Sequence, residues 1–473
     1  MRPALFVNPK KQEDGSKMKK MLKTLLVMTL ALALLMPAMA SLAETAPTGE
    51  LRLLTAVTGG KDEAEMVLFQ EALGKALNLT VTMEKPASDY DNVVMQKLMG
   101  GEQYDLIYVP VTMMYSLMEQ SALTDLTEMV KASPVLGDAN VVTPSEWDQV
   151  TVDGKIWASF NKKEVHKLVS INKVLAAKAG VDVDAITPTL DGYYEAFKKL
   201  QTVGGEGFYA LNTVVKTLHD LQPWFSAVGL KSGMVKGPDG TITVPTASDA
   251  SIPVWEWLAK LYKEGLLDPN CLTDETKDLR NKFQTGKTGV VVDWAAWTGL
   301  YNVNAGAQYP AEYEAYPLPG TKGETTDYML SRGAPSIWVI PANAKNPEGA
   351  FKALEFFATQ EGGELLSIGI EGHDWNLVDG KVVLTEVGAS HGKDHGAPVP
   401  VSNQFVHPVG WNPGFEKAME YLQYATPELN NANTNKCRDT IAKYATQIIN
   451  GSMTAADGVK AMQDELKQLE IIK

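Results

Sequence analysis

The amino-acid sequence predicts an α/β protein built as two interwoven lobes, and three observations lead to this fold class. A chain of 473 residues is too long for one compact core, so two lobes of roughly 150–250 residues each are expected. Short apolar runs alternate with helix-like segments near the N-terminus, which indicates a parallel sheet. The sequence contains no internal repeat, low-complexity tract or long linker, which favours interwoven lobes over separate domains.

The alternation is clearest between residues 51 and 112. Apolar runs at residues 51–57, 79–83 and 106–109 predict three strands. Met66, Phe69, Leu73 and Leu77 recur at helical spacing after the first strand, and residues 90–99 predict a second helix. In such sheets ligands lie beyond the carboxyl ends of the strands. The loops at residues 58–61 and 110–112 are therefore candidate rims of a binding site.

Further helices are predicted later in the chain. Residues 191–200, 252–262 and 454–469 carry apolar side chains at helical spacing. Asn346 followed by Pro347 is typical of a helix start, with an Asn cap and proline at the first helical position.

The N-terminal segment predicts export. Residues 18–23 are basic, residues 24–36 are almost wholly apolar, and small residues follow at 38–43. This is the pattern of a secretory signal peptide, here residues 1–43 with Met18 as the true start. A short membrane anchor is the alternative, but the apolar run is too short to span a bilayer. No cysteine follows the signal, so we expect an exported protein without a lipid anchor.

Net charge excludes one class of binding partner, and the cysteine content leaves two possibilities for the thiols. Removing residues 1–43, which hold seven Lys/Arg and two Asp/Glu, changes the net charge from −14 to −19. Such a surface repels phosphate backbones, so nucleic acid is excluded as a partner. Cys271 and Cys437 are the two cysteines; a disulfide and two free thiols both remain open.

Catalytic and cofactor motifs are mostly missing. The sequence lacks G-x-S-x-G, H-E-x-x-H, paired C-x-x-C and G-x-G-x-x-G patterns. Thr285–Thr288 resembles the end of a phosphate loop, but Asn281 stands where glycine is required. His391 and His395 are four residues apart in a Gly- and Pro-containing loop, so we expect no metal site there. These absences predict a protein that is not an enzyme and needs no cofactor.

Tryptophans beside polar residues are the main candidates for binding. Asp293, Trp294 and Trp297 follow the strand-like residues 289–292. A Trp just past a strand end is well placed to stack on a sugar ring while a neighbouring Asp accepts hydroxyl hydrogen bonds. Packing in the core is the alternative for any Trp. The same two interpretations stay open for four further tryptophans: Trp157, Trp224, Trp375 and Trp411.

Six ordered motifs resemble one family. One is D-G-K-I-W-A at 153–158, and another is G-I-E-G-H-D-W at 369–375. The others occupy residues 101–108, 172–189, 283–291 and 346–350. In this order they resemble the carbohydrate-type substrate-binding proteins of bacterial ABC importers, the maltose-binding-protein-like family 1, in its aldouronate or lipoprotein-like branch. Within this resemblance, Trp294 matches a sugar-stacking Trp of maltose-binding proteins.

The resemblance implies a type II periplasmic-binding-protein-like fold, with a ligand cleft between two lobes joined by crossover strands. It implies lobe 1 at residues 44–158 with 315–372, and lobe 2 at 159–314 with 373–473. Crossings are expected near 157–160, near Tyr316-Pro317 and after Gly372. The residues expected at the ligand are Trp294, Asp293, Trp297, Trp157, Trp224, Tyr108, Thr112, Arg332, Trp375 and Trp411.

The function implied is capture of a sugar or oligosaccharide by cleft closure and its delivery to the membrane permease of an ABC importer. We expect the protein to act as a monomer. Two alternatives stay open: the same fold binding a peptide, polyamine or other small molecule, and a secreted polysaccharide-active enzyme. An acidic cleft would suit a polyamine, whereas Trp stacking suits a sugar.

Overall fold

Helices and strands alternate along the chain in the computed structural model, which describes residues 48–163, 167–308, 313–332 and 337–473. The predicted signal peptide and its start at Met18 lie outside these residues. No helix of the described residues combines the length and the apolar character needed to span a membrane.

The longer helices include those predicted near residues 66–77, 90–99, 191–200, 252–262 and 454–469. The α-helices are Glu63–Leu77, Tyr90–Met99, Val111–Glu119, Thr127–Ala132, Lys173–Lys178, Leu190–Gln201, Gln222–Phe225, Ile252–Lys263, Thr276–Gln284, Ala295–Gln308, Pro347–Phe357, Gln360–Ser367, Glu386–Ser390, Phe415–Glu420, Thr434–Ile449 and Ala455–Gln468. The predicted start at Pro347 is confirmed, since the Asn346 side chain accepts a hydrogen bond from the Gly349 backbone N–H at 2.9 Å.

The strands belong to two main sheets and four short pairs. They are Glu50–Leu54, Thr80–Glu84, Leu106–Val109, Thr151–Val152, Lys155–Ile156, Ser159–Phe160, Leu168–Asn172, Tyr209–Asn212, Val235–Lys236, Ile242–Thr243, Thr288–Asp293, Ala315–Leu318, Leu330–Arg332, Ile337–Val339, Trp375–Val378, Lys381–Leu384 and Ala425–Pro427.

The first sheet has five strands. Thr80–Glu84, Glu50–Leu54 and Leu106–Val109 pair in parallel, as the strand and helix alternation predicted. Ile337–Val339 then joins antiparallel to Leu106–Val109, and Ser159–Phe160 follows at the edge, antiparallel in turn. All four residues of Leu106–Val109 are buried, which agrees with a central strand covered on both faces.

The second sheet has four strands. Its order is Ala315–Leu318, Leu168–Asn172, Thr288–Asp293 and Tyr209–Asn212. Only the last two strands of this order pair in parallel, so the sheet is mixed. Thr288–Asp293 is buried along its whole length. The two halves of the molecule are called the first and second lobes after their sheets.

The chain changes sheet at positions that differ in part from those expected. Ser159–Phe160 lies in the first sheet and Leu168–Asn172 in the second, so the first crossing follows Phe160. Tyr316 and Pro317, expected at the second crossing, lie inside the second sheet because they pair with Ile171 and Ser170. After Ala315–Leu318, the next strand, Leu330–Arg332, pairs with Ala425–Pro427 outside both main sheets, and Ile337–Val339 belongs to the first sheet again. The expected assignment of residues from 315 onward to lobe 1 is therefore wrong for Ala315–Leu318, which lies in the second sheet.

Each lobe has its own apolar core. The first-lobe core contains Leu53, Leu106 and Trp338, and also Ala397 and Val401. Those last two residues were expected in lobe 2, so part of the segment after residue 373 packs with the first lobe instead. The second-lobe core includes the helices Thr434–Ile449 and Ala455–Gln468, whose buried faces cover the helix Ile252–Lys263.

Cys271 and Cys437 lie in the second-lobe core as buried free thiols. Burial raises the pKa of the Cys437 thiol to about 11, and burial also raises the pKa of Cys271. Because the thiolate is the reactive form, both side chains behave as small apolar residues in this environment.

Candidate functional site

A cavity lies where the chain passes from the first sheet to the second. Its walls include Phe160, Lys162 and Lys163 from the crossing segment and Arg332 from the end of the strand Leu330–Arg332. The rest of the lining comes mainly from the first lobe and from the segment near residue 400, namely Thr143, Glu146, Gln149, Val401 and Asn403. The cavity has a volume of about 10 Å³, which is room for one water molecule.

Polar contacts within this cavity join several parts of the chain. Arg332 Nη2 lies 2.6 Å from Glu146 Oε1. Asn403 Nδ2 donates to Thr143 Oγ1 at 3.0 Å, and the Lys163 ammonium donates to the Asn403 side-chain oxygen. Burial lowers the pKa of Lys163. The lining thus combines three basic side chains with one acid, Glu146, which is paired with Arg332.

Trp294 lies at the other side of the crossing segment. It directly follows the strand Thr288–Asp293, and its ring is partly exposed. The Nζ atoms of Lys162 and Lys167 lie 4.7 Å and 5.9 Å from the ring centroid. Lys162 also lines the cavity, so it contacts Trp294 and shares the cavity wall with Arg332.

Asp293 is placed differently from the expectation that it would accept ligand hydroxyls. Its side chain is buried, and Arg280 donates to it through Nε at 2.8 Å and Nη2 at 3.0 Å. Tyr301 donates to the same carboxylate at 2.7 Å. Burial alone would raise the pKa of Asp293, but the charges of Arg280 and Lys167 outweigh it and hold the pKa below its ordinary value. The Asp293 carboxylate therefore holds Arg280 and Tyr301 in place at the end of the strand, directly before Trp294.

Trp297 belongs to the same group of contacts. The Arg280 guanidinium carbon lies 3.7 Å from the centre of the Trp297 ring, and the Trp297 and Tyr301 rings are 5.5 Å apart. A guanidinium stacked on an indole is a favourable cation–π contact. One face of Trp297 is therefore occupied by Arg280.

Trp224 is a core residue. It is 0% exposed and packs against the rings of Tyr193, Phe197 and Trp257 in the second lobe. The expectation that it contacts ligand is corrected, because no face of its ring reaches solvent. The core alternative that the sequence left open is the observed one for this residue.

Tyr108 and Thr112 flank the carboxyl end of the central strand in the first sheet. Tyr108 is 8% exposed and packs edge-to-face on Trp338 at 5.2 Å. Thr112 is partly exposed in the first turn of the helix Val111–Glu119. Thr112 therefore lies on the predicted rim, whereas the Tyr108 ring is mostly within the first-lobe core.

The three remaining tryptophans are partly exposed and have structural contacts. Trp157 Nε1 donates to the Val152 carbonyl at 3.4 Å beside its hairpin. Trp375 Nε1 donates to the Gly369 carbonyl at 3.1 Å. Trp411 packs edge-to-face between His407 and Phe415. None of the three lies among the residues that line the cavity at the crossing.

A model of the family described as bacterial extracellular solute-binding protein matches residues 56–364. This match covers more than half of the chain. The chain belongs to that family. The prediction that this is a bacterial solute-binding protein is confirmed. Membership of an extracellular family agrees with the predicted export. The family binds solutes and is not a family of enzymes.

Solved structures resemble this solute-binding protein over almost its whole length. The substrate-binding protein Lmo0181 from Listeria monocytogenes is 16% identical, with a TM-score of 0.68, covering 90% of this chain and 100% of that chain. Maltose-bound MalE3 from T. maritima is 19% identical, with a TM-score of 0.64 and coverage of 89% and 100%. NgtS from Streptococcus pneumoniae is 17% identical, with a TM-score of 0.64 and coverage of 89% and 95%.

These likenesses confirm the two-lobed fold predicted for the solute-binding protein. A search of curated proteins found no matching sequence.

Lys162, Lys163 and Glu146 were missed as site residues of this solute-binding protein by sequence reasoning. A signal was present, because Lys162 and Lys163 come two and three residues after Phe160, near which the first crossing was expected. Glu146 offered no comparable signal, since it lies in a short 3₁₀ helix, Pro144–Gln149, that no periodic pattern marks.

His407 lies four residues after the cavity-lining Asn403, and we expect it to make the stability of this solute-binding protein depend on pH. Neither of its ring nitrogens has a hydrogen-bond partner among the described residues. Burial, with a smaller contribution from Lys393, lowers the pKa of His407 to about 4 from an ordinary value of 6.5. As pH falls through this window the unfolded chain binds a proton that the folded chain does not, so folding stability falls.

We expect His407→Gln to reduce this acid sensitivity. Unfolding in denaturant at about pH 7 and about pH 5 measures the change in free energy for both proteins, and the decrease should be smaller in the variant. Equal decreases in the two proteins would show that His407 is not the responsible group.

Proposed function

We propose that this protein captures a sugar or short oligosaccharide in the cleft between its lobes and delivers it to the permease of an ABC importer. The observation that carries the proposal is the position of Trp294, a partly exposed ring at the end of a buried strand and beside the crossing segment. Lys162 and Lys167 lie 4.7 Å and 5.9 Å from the ring centroid, so a sugar ring would stack on the part of the indole that these lysines leave uncovered.

The basic lining supports a ligand rich in oxygen atoms. Lys162, Lys163 and Arg332 supply donors for hydroxyl or carboxylate oxygens. The same cations oppose a polyamine, since positive charges brought together repel each other. This favours a neutral or acidic carbohydrate over the polyamine alternative.

The names of the similar structures point in the same direction. Lmo0181 is described in complex with cycloalternan, MalE3 with maltose, and NgtS as an N-glycan transport protein. Their low identity to this chain leaves the ligand here as part of the proposal. The proposal also includes that the protein acts as a monomer and is exported without a lipid anchor.

A thermal-shift panel tests the ligand class. Neutral oligosaccharides, uronic acid oligomers, peptides and polyamines are each added to the purified protein. A carbohydrate should raise the melting temperature, because a ligand at ~100 times its Kd adds about 2.7 kcal/mol of stability. A rise with peptides or polyamines alone would contradict the proposal, and new reducing ends released from polysaccharides would favour the enzyme alternative.

A further inference from the structure

Five side chains with metal-binding atoms gather at one place in the first lobe. Glu65 Oε1 lies 3.0 Å from His373 Nε2 and 3.1 Å from His391 Nε2. Asp374 Oδ1 lies 2.8 Å from His391 Nδ1 and 3.2 Å from His395 Nε2. Glu65, His391 and His395 each offer a ligand atom within 4.8 Å of the others, and so do Glu65, His373 and Asp374.

Most of this group is deeply buried. The side chains of Asp374, His395 and Glu65 are 0%, 1% and 6% exposed. Neither ring nitrogen of His395 has a hydrogen-bond partner in the described part of the chain, although Nε2 lies 3.2 Å from Asp374 Oδ1. Burying an imidazole without partners is costly, so this side chain is an observation that itself points to a ligand.

His391 presents a second such observation, because both its ring nitrogens face carboxylate oxygens. A neutral imidazole carries one N–H and one lone pair. If Nδ1 donates to Asp374, Nε2 and Glu65 Oε1 need either a proton or a metal ion between them. A metal ion bound by both Nε2 and the Glu65 carboxylate satisfies both groups.

The backbone holds these side chains in place. The Lys61 backbone N–H donates to Glu65 Oε2 at 2.6 Å, and the Ile370 backbone N–H donates to Asp374 Oδ2 at 2.8 Å. Gly369 has φ +85°, and a Cβ there would lie 2.3 Å from Asp374 Oδ2 and 2.5 Å from His395 Nε2. Glycine at this position is therefore what admits the close approach of Asp374 and His395.

We propose that this cluster is a Zn²⁺ site whose ligands are Glu65, His391 and His395. Asp374 orients both histidines through its Oδ1, the usual role of a carboxylate behind a metal-bound imidazole, which leaves His391 Nε2 and His395 Nδ1 for the metal. His373, 32% exposed at its side chain, is the further ligand on the open side. Imidazole with carboxylate suits Zn²⁺, whereas Ca²⁺ and Mg²⁺ prefer oxygen ligands.

The site has a structural role. Glu65 belongs to the helix Glu63–Leu77 of the first lobe, whereas His391 and His395 belong to the segment that leads toward the second lobe. Zn²⁺ would fasten this segment to the first lobe. Because the metal binds the folded chain, it raises stability by mass action.

Calorimetric titration with zinc chloride tests the site, using protein without a polyhistidine tag after chelator treatment and dialysis. We expect one Zn²⁺ per chain, and a melting temperature that rises with zinc. Glu65→Gln and His391→Asn should each weaken binding roughly tenfold or more. Glu71→Gln is the matched control, because Glu71 lies exposed on the same helix and outside the cluster; it should bind as the unaltered protein does.

Two results would overturn the proposal: no zinc binding by the unaltered protein, or equal affinity in Glu65→Gln and the control. Circular dichroism establishes that each variant folds. If His391→Asn does not fold, Glu65→Gln decides alone, since it keeps the shape of the side chain and can still accept from the Lys61 backbone N–H.

Discussion

Replacement of Trp224 by alanine is expected to lower the free energy of unfolding by about 3–5 kcal/mol. The Trp224 ring is 0% exposed, and it lies 5.1 Å from Tyr193, 5.3 Å from Trp257 and 6.0 Å from Phe197, centroid to centroid. Its removal would leave a cavity within a group of four aromatic rings. Denaturant unfolding of the apo protein measures the loss.

The control for this experiment is the carbohydrate affinity of the Trp224→Ala variant. The Trp224→Ala protein that remains folded should bind the carbohydrate as tightly as the unaltered protein, because Trp224 has no exposed face. A loss of stability below about 1 kcal/mol, or a loss of affinity in protein that stays folded, would contradict the core assignment and show that Trp224 contacts the ligand.

Replacement of Trp294 by alanine is expected to weaken carbohydrate binding by roughly tenfold to over a hundredfold, equivalent to about 1–3 kcal/mol. The reason is the loss of the ring surface next to the crossing segment. Stability should change much less than in Trp224→Ala, because the Trp294 ring is partly exposed. Calorimetry gives the affinity and denaturant unfolding gives the stability.

Trp294→Phe is the matched variant, since it keeps an aromatic face of smaller area. It should retain most of the affinity that Trp294→Ala loses. A large loss of stability in Trp294→Ala with unchanged affinity would show that the ring supports the fold and does not contact the ligand.

Sequence patterns within a few residues correctly predicted several helices and strands whose formation depends on neighbouring residues. The strand Leu106–Val109 and the helix Tyr90–Met99 were predicted at their observed bounds. The helix start at Pro347 was predicted because its cap needs only neighbouring residues. Such features depend on residues within a few positions, so the sequence alone contains what is needed to place them.

Features that depend on distant pairing could not be placed in this way. The strand Ala315–Leu318 belongs to the second sheet because it pairs with Leu168–Asn172, more than 140 residues earlier, and nothing in its own residues selects that partner. Trp224 was expected at the ligand because polar residues lie near it, whereas its burial comes from helices elsewhere in the chain.

The histidine cluster shows the same limit. His391 and His395 do follow the end of a short helix, Glu386–Ser390, as the glycines in this stretch indicated. Their spacing on its own therefore argued against a metal. Glu65, more than 300 residues away in sequence, contacts His391 and His373 only once the chain has folded.

The central claim is that a carbohydrate binds between the two lobes and that the lobes close on it. Small-angle X-ray scattering with and without the carbohydrate identified by the thermal-shift panel tests it most directly. Closure of hinged lobes makes the molecule more compact, so we predict a smaller radius of gyration at saturating ligand. An unchanged radius at saturation would contradict the claim, because it would mean a rigid molecule or a binding site outside the cleft.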